Sequence, residues 1–134
     1  MRFGRTNSFP VDNISSGGLY SMIDLSTGKL NDSIEEGGDG SLRLHKNHPD
    51  TSILIRDVII PKWDDLSKFF IKTAKLISTF IKVVGWDIIL TDDSFVVIEG
   101  NNSPDLTVQG RDYPMAKNIE TREFLKYFGI RSKA

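Results

Sequence analysis

Apolar side chains recur at helical spacing through one long segment, which begins after Pro61. Lysines occupy the other side of that segment, so the helix is amphipathic and buries one face. Asp64 and Asp65 lie in its first turn, where the helix dipole favours negative charge, and Gly85 can end it. The pattern predicts a long helix over 62–84. The apolar face that we expect to pack on the following hairpin consists of Leu66, Phe70, Ile77, Phe80, Ile81 and Val84.

Strand patterns flank this helix on both sides. Before it, residues 19–30 read as a hairpin and residues 41–46 alternate as a further strand. After it, residues 86–101 read as a second hairpin, and a closing helix follows with Asn118 as a plausible N-cap. Strands, helix, strands and helix in this order predict an α+β fold with a mainly antiparallel sheet. We interpret residues 1–134 as a single domain.

Composition narrows the classes of function. The chain has 134 residues and a formal net charge of -1, which gives no electrostatic argument for nucleic acid or an anionic membrane. It has no cysteine, so disulfides, thiolate catalysis and cysteine-based zinc sites are excluded. Lysines interrupt its apolar stretches, and its first residues lack the apolar core of a signal peptide. We therefore expect a cytoplasmic protein without a membrane span.

Polar residues at the ends of the second hairpin are candidates for chemistry. Asp87 begins one strand, and Glu99 and Asn101 end the other. A turn of three residues, Asp92–Ser94, would place Asp87 directly opposite Glu99. Strand alternation would put Glu99 and Asn101 on the same face as Phe95.

Two explanations of this hairpin remain open from spacing alone. Two facing carboxylates repel unless one of them is protonated or a cation lies between them, and an added amide oxygen suits Mg²⁺ or Mn²⁺. In the alternative, Asp87 caps its strand, Glu99 is solvated and the following residues simply form a turn. His45 and His48, which lie in other segments, are more often structural than catalytic in such settings.

The ordered series "GWD", "DD" and "IEGNNSP" resembles the carboxy-terminal signature of the ATP-grasp superfamily. Further segments, "VDNISSGGLYSMIDLSTGKL", "HPDT" and "IIPKW", resemble its sugar-transfer-associated branch, relatives of the glutamate-ligase-like proteins. The resemblance covers most of residues 2–105. It implies half of an ATP-grasp catalytic core, the carboxy-terminal lobe, with a partial strand and glycine-rich loop over 1–18.

The resemblance also implies roles for individual residues. Asp87, Glu99 and Asn101 match the positions that hold the Mg²⁺ (or Mn²⁺) bridging ATP phosphates. Arg2 matches a catalytic arginine that faces the transferred phosphate, a task suited to a guanidinium because it contacts two oxygens and keeps its proton. The positions that match cofactor-binding residues are Asn13, Gly17 and Gly18.

The function implied is that of an ATP-dependent carboxylate–amine ligase, or a related ligase, in polysaccharide or sugar-transfer biosynthesis. Its partners would be ATP, a small carboxylate or sugar-linked substrate, and the amino-terminal ATP-grasp lobe. By the resemblance, the chain is a fragment, a truncated gene product or half of a split protein, and we expect it to be inactive alone. The alternative is a non-catalytic, degenerate ATP-grasp module that acts in binding or assembly.

Overall fold

A computed structural model describes residues 1–6, 9–10, 14–102, 104 and 119–129. The chain divides into two compact units, Met1–Asp65 and Leu66–Ala134. The division falls in the first turn of helix α1 (Trp63–Ile77). Each unit is described by itself below.

The first unit contains an antiparallel sheet. Its strands are β1 (Arg2–Phe3), β2 (Leu19–Ile23), β3 (Leu30–Glu36) and β4 (Leu42–His45). Within the described residues their order is β1-β2-β3-β4, so each strand lies beside its neighbour in sequence. The predicted hairpin over 19–30 includes β2 but only the first residue of β3, which continues to Glu36, and the predicted strand over 41–46 corresponds to β4.

The core of the first unit forms on the central strands and on the segment after β4. Leu19 and Ile34 are 0% and 1% exposed. Leu19 pairs with Glu35 and Ile34 pairs with Tyr20, so the two side chains point to opposite faces, and apolar side chains are buried on both faces of the central strands. Ile55 and Ile60 are also buried, although they lie in a segment without regular strands. That segment is fixed by backbone bonds, such as the one that the Ile60 N–H donates to the Gly28 carbonyl at 3.0 Å. Burial and backbone hydrogen bonds therefore order a loop that hydrophobic periodicity in the sequence does not identify.

The second unit packs α1 on a hairpin of β5 (Gly85–Leu90) and β6 (Phe95–Asn101). The contacts are aromatic. Phe69 and Phe95 have ring centroids 5.3 Å apart, and Phe70 and Trp86 have centroids 5.4 Å apart. Helix α2 (Ile119–Tyr127) follows, and Gly129 has a φ of 67° just beyond it, as in many helix stops. Its predicted N-cap, Asn118, lies outside the described residues.

The predicted helix over 62–84 is too long. α1 ends at Ile77, where the Ser78 hydroxyl donates to the Lys75 carbonyl at 3.0 Å. The next residues, "TFIKVV", are rich in β-branched side chains, which favour extended backbone over helix. Gly85 is consequently the first residue of β5 and not a helix cap. Phe80 was expected in the core but is 87% exposed, because it lies beyond the helical turns that face the hairpin.

The predicted class is confirmed: the fold is α+β, and every strand pair in the described part of the chain is antiparallel. None of the helices among these residues combines the length and the hydropathy needed to cross a bilayer.

Candidate metal site

The register of the second hairpin pairs Asp87 with Glu99, as predicted. The turn length that was predicted to produce this pairing is wrong. Leu90 pairs with Phe95, so the connection is Thr91–Ser94, four residues and not three. It is closed by the Thr91 N–H, which donates to the Ser94 carbonyl at 2.9 Å, and by the Ser94 N–H, which donates to Thr91 Oγ1 at 3.0 Å.

A β-bulge restores the pairing of the two carboxylates. Ile88 pairs with Val97, whereas Asp87 pairs with Glu99, so Ile98 is an additional residue in β6. One extra residue reverses which face the following side chains point to, because strand side chains alternate. The bulge thus produces the facing pair that a three-residue turn was expected to give.

The bulge also corrects the predicted faces of β6. Phe95 lies against the Phe69 and Phe70 rings, on the side of α1. Glu99 and Asn101 come after the bulge and share the other face with Asp87. The expectation that Glu99 and Asn101 share a face with Phe95 is therefore wrong. The apolar start of the strand is packed on the helix, while its polar end is presented on the opposite face.

The polar end of β6 is organised by a side-chain hydrogen bond. Asn101 Nδ2 donates to Glu99 Oε1 at 2.9 Å, which fixes two residues two positions apart on one face. Two carboxylates and an amide form an oxygen-rich donor set of the kind that hard divalent ions prefer. Among the residues described here, no group of three or more His, Cys, Asp or Glu side chains is placed to hold a metal ion. A site at this hairpin therefore depends on Asn101 as its third ligand.

The other candidate residues lie in the first unit. Arg2 pairs with Tyr20, and Phe3 pairs with Leu19, so Gly18 directly precedes a residue held beside β1. Gly17 has a φ of 88° and its N–H donates to the Ile14 carbonyl at 3.0 Å, closing the short 3-10 turn Ile14–Ser16. Among the described residues, and apart from its two chain neighbours, no atom lies within 4 Å of the position that a Cβ on Gly17 would take. Asn13 lies outside the described residues.

Sequence patterns did not reveal a polar network in the first unit. Arg5 Nη2 contacts Asp50 Oδ1 at 2.8 Å, and its Nη1 contacts Glu35 Oε1 at 2.6 Å. His45 Nε2 lies 2.9 Å from the other oxygen of Glu35. The hydrogen bonds from Arg5, followed by the one from the Thr6 amide, hold the pKa of the Asp50 carboxyl well below its usual range. The network ties the segment after β1 to β3 and to the loop after β4.

The available signal for this network was weak. Glu35 and His45 lie on the paired strands β3 and β4, which strand patterns can indicate. Arg5 and Asp50 lie in loops 45 positions apart in the sequence, and no such pattern relates them. His48 belongs to the same loop. Its Nε2 lies 2.9 Å from the Gly4 carbonyl oxygen, to which it donates, and its Nδ1 accepts from the Asp50 N–H at 3.3 Å. Both ring nitrogens of His48 are therefore engaged by backbone groups of this unit.

A model of the sugar-transfer associated ATP-grasp family matches residues 1–118 of the chain. No curated protein and no solved structure matches the chain at a significant level. The match spans both hairpins, the glycine loop and the whole of the candidate metal site. The chain therefore belongs to the sugar-transfer associated ATP-grasp family.

Proposed function

We propose that this chain is the Mg²⁺-binding, carboxy-terminal part of an ATP-dependent carboxylate–amine ligase, or of a related ligase, in polysaccharide or sugar-transfer biosynthesis. The observation that carries the proposal is the pairing of Asp87 with Glu99, with Asn101 hydrogen-bonded to Glu99 on the same face. Membership of the ATP-grasp family supports nucleotide binding as the general function.

The proposed ligands are suited to their task. Asp87 and Glu99 supply negative charge, and Asn101 supplies a neutral oxygen from the same strand end. A divalent ion bound there would neutralise charge on phosphate oxygens during phosphoryl transfer. Two protein carboxylates leave positions open for those oxygens, as is usual where Mg²⁺ works on a phosphorylated substrate.

Roles are also proposed for residues of the first unit. Arg2 is proposed to stabilise the charge of the transferred phosphoryl group, because a guanidinium contacts two oxygens and stays protonated. The backbone at Gly17 and Gly18 is proposed to approach an anion, which the open space around Gly17 and its positive φ would permit. Asn13, with the same proposed role, precedes them in the chain. In such a ligase a carboxylate is phosphorylated, and an amine then attacks its carbonyl carbon as phosphate leaves.

Metal binding is the direct test. Mn²⁺ titrated into the ¹⁵N-labelled chain should broaden the amide signals of Asp87, Glu99 and Asn101 before those of buried residues such as Ser33. Mg²⁺ or Mn²⁺ at millimolar concentration should also raise the melting temperature, because an ion that binds only the folded chain stabilises it. Signals that broaden elsewhere first, or a melting temperature that does not respond, would refute the proposed site.

Glu99→Gln tests the role of charge. The change keeps the shape and removes one of two like charges that face each other, so the metal-free chain should become slightly more stable. It should also abolish the metal-induced shift. Asp92→Asn is a matched control, since it removes one carboxylate from the connection of the same hairpin and leaves the three ligands in place. A shift that survives Glu99→Gln would contradict the assignment.

A further inference from the structure

The glycine between the two proposed ligands of β6 lies against a tryptophan ring. Gly100 pairs with Trp86 across the hairpin. A Cβ built on Gly100 would lie 2.8 Å from Cζ3 and 3.1 Å from Cε3 of that ring, and 3.2 Å from Val84 Cγ1. Real Cβ atoms do not approach ring atoms at 2.8 Å, so any side chain at position 100 requires the ring or the strand to move.

The Phe70 ring limits the movement of the indole on the side of α1. Trp86 packs on Phe70, with centroids 5.4 Å apart, and Phe70 in turn contacts Phe69 and Phe95 at 5.2 Å and 6.3 Å. These rings form the packed side of the second unit. The indole ring therefore packs on Phe70 of α1 on one side and on the backbone of β6 at Gly100 on the other.

The direction of this contact separates it from the proposed ligands. Neighbouring residues of a strand point to opposite faces, so a Cβ at position 100 points towards Trp86, and Glu99 and Asn101 point away from it. Enlarging residue 100 consequently adds no atom to the ligand face. It can act on the ligands only by moving the backbone that carries them.

We infer that Gly100 is a positioning residue for the metal site, and that the Trp86 ring against which its backbone rests sets the spacing of Glu99 and Asn101. The inference rests on the proposed function. The 2.9 Å bond between Asn101 Nδ2 and Glu99 Oε1 joins the residues on either side of Gly100, so a displaced backbone at 100 alters the geometry of the pair directly.

Gly100→Ala tests the inference through metal affinity. The Mn²⁺ concentration that halves the Asp87 amide signal should rise about tenfold, the lower end of the effect of disturbing groups that orient metal ligands. The matched control is Gly28→Ala in the first unit, where the new Cβ also meets a tryptophan, 2.4 Å from Trp63 Cγ. The control should lower stability and leave the Mn²⁺ concentration unchanged. Equal Mn²⁺ concentrations for wild type and Gly100→Ala would overturn the inference.

Shrinking the ring provides the second arm. Trp86→Leu removes the surface that the strand rests on, so it should weaken Mn²⁺ binding by itself and remains informative if Gly100→Ala does not fold. Adding Gly100→Ala to Trp86→Leu should weaken Mn²⁺ binding less than adding it to the wild type, because the methyl group then has no ring to meet and only Val84 Cγ1, at 3.2 Å, remains close to it. Losses of Mn²⁺ affinity that simply add in the double variant, or a Trp86→Leu variant that binds Mn²⁺ as tightly as the wild type, would contradict the inference. Failure of the wild type to bind Mn²⁺ at Asp87 would instead reject the proposed function, and the inference with it.

Discussion

Replacement of Gly28 by alanine should destabilise the first unit by crowding Trp63 as well as by straining the backbone. Gly28 is buried, has a φ of 73° and ends the turn between β2 and β3. Its N–H donates to the Asp24 carbonyl at 2.7 Å, so the turn cannot relax without losing a bond. The added Cβ would lie 2.4 Å from Cγ and 2.7 Å from Cβ of Trp63.

The magnitude combines three terms. A left-handed conformation costs an alanine about 1–2 kcal/mol, and the reduced freedom of the unfolded chain offsets about 0.4–1 kcal/mol of this. Crowding a packed site adds about 1–3 kcal/mol. The strain left after this offset is about 0.5–1 kcal/mol, so the expected loss is about 1.5–4 kcal/mol, most of which arises from the tryptophan.

Gly40→Ala separates strain from crowding. Gly40 has a φ of 80°, and no atom of the described residues other than its chain neighbours lies within 4 Å of its Cβ position, so its replacement should cost only about 0.5–1 kcal/mol. Urea unfolding followed by circular dichroism gives both values. In a Trp63→Ala background, the cost of Gly28→Ala should fall but stay above that of Gly40→Ala, because the Cβ of residue 63, 2.7 Å from the new methyl group, remains. Equal losses for the two glycines in the wild-type background would refute the crowding argument.

Other residues test the packing and the polar network. Phe70→Ala should cost about 2–3 kcal/mol, somewhat less than a fully buried ring, because the side chain is half-buried between Phe69 and Trp86. Phe80→Ala should cost less than about 0.5 kcal/mol, since that ring is 87% exposed; a larger loss in urea unfolding would show that Phe80 packs on something. Asp50→Asn should lower the melting temperature at pH 7. The folded pKa of Asp50 is depressed by Arg5, so its contribution is present above the unfolded pKa of about 4 and is lost as pH falls below it. The difference from wild type should thus narrow towards pH 2, and a constant difference would contradict this assignment.

Local and periodic features could be predicted from the sequence. Strand patterns assigned β2, β4, β5 and β6, and acidic residues at 64 and 65 with apolar spacing behind them assigned the start of α1. Short-range rules suffice for these elements because residues close in sequence largely determine the backbone conformation. The ligand candidates were equally accessible, since Asp87, Glu99 and Asn101 mark unusual polar positions at strand ends and match a family motif.

Tertiary packing decided the rest. The end of α1 at Ile77 depends on where the chain must turn to begin β5, so an apolar pattern that runs on to Val84 could not locate it. The contact of Arg5 with Asp50 joins loops 45 positions apart, a separation for which no periodicity exists.

The bulge at Ile98 is the clearest case. The sequence alone determined that Asp87 and Glu99 could face each other, because both lie on strands of one hairpin. Only the three-dimensional packing decided that this pairing arises through a bulge and not through a three-residue turn. Phe95 and Trp86 must both reach the rings of α1, and a regular β6 that begins opposite Leu90 would turn Glu99 towards that apolar side. One inserted residue satisfies both demands, since it lets the aromatic side chains be buried and keeps the carboxylate on the opposite, open face.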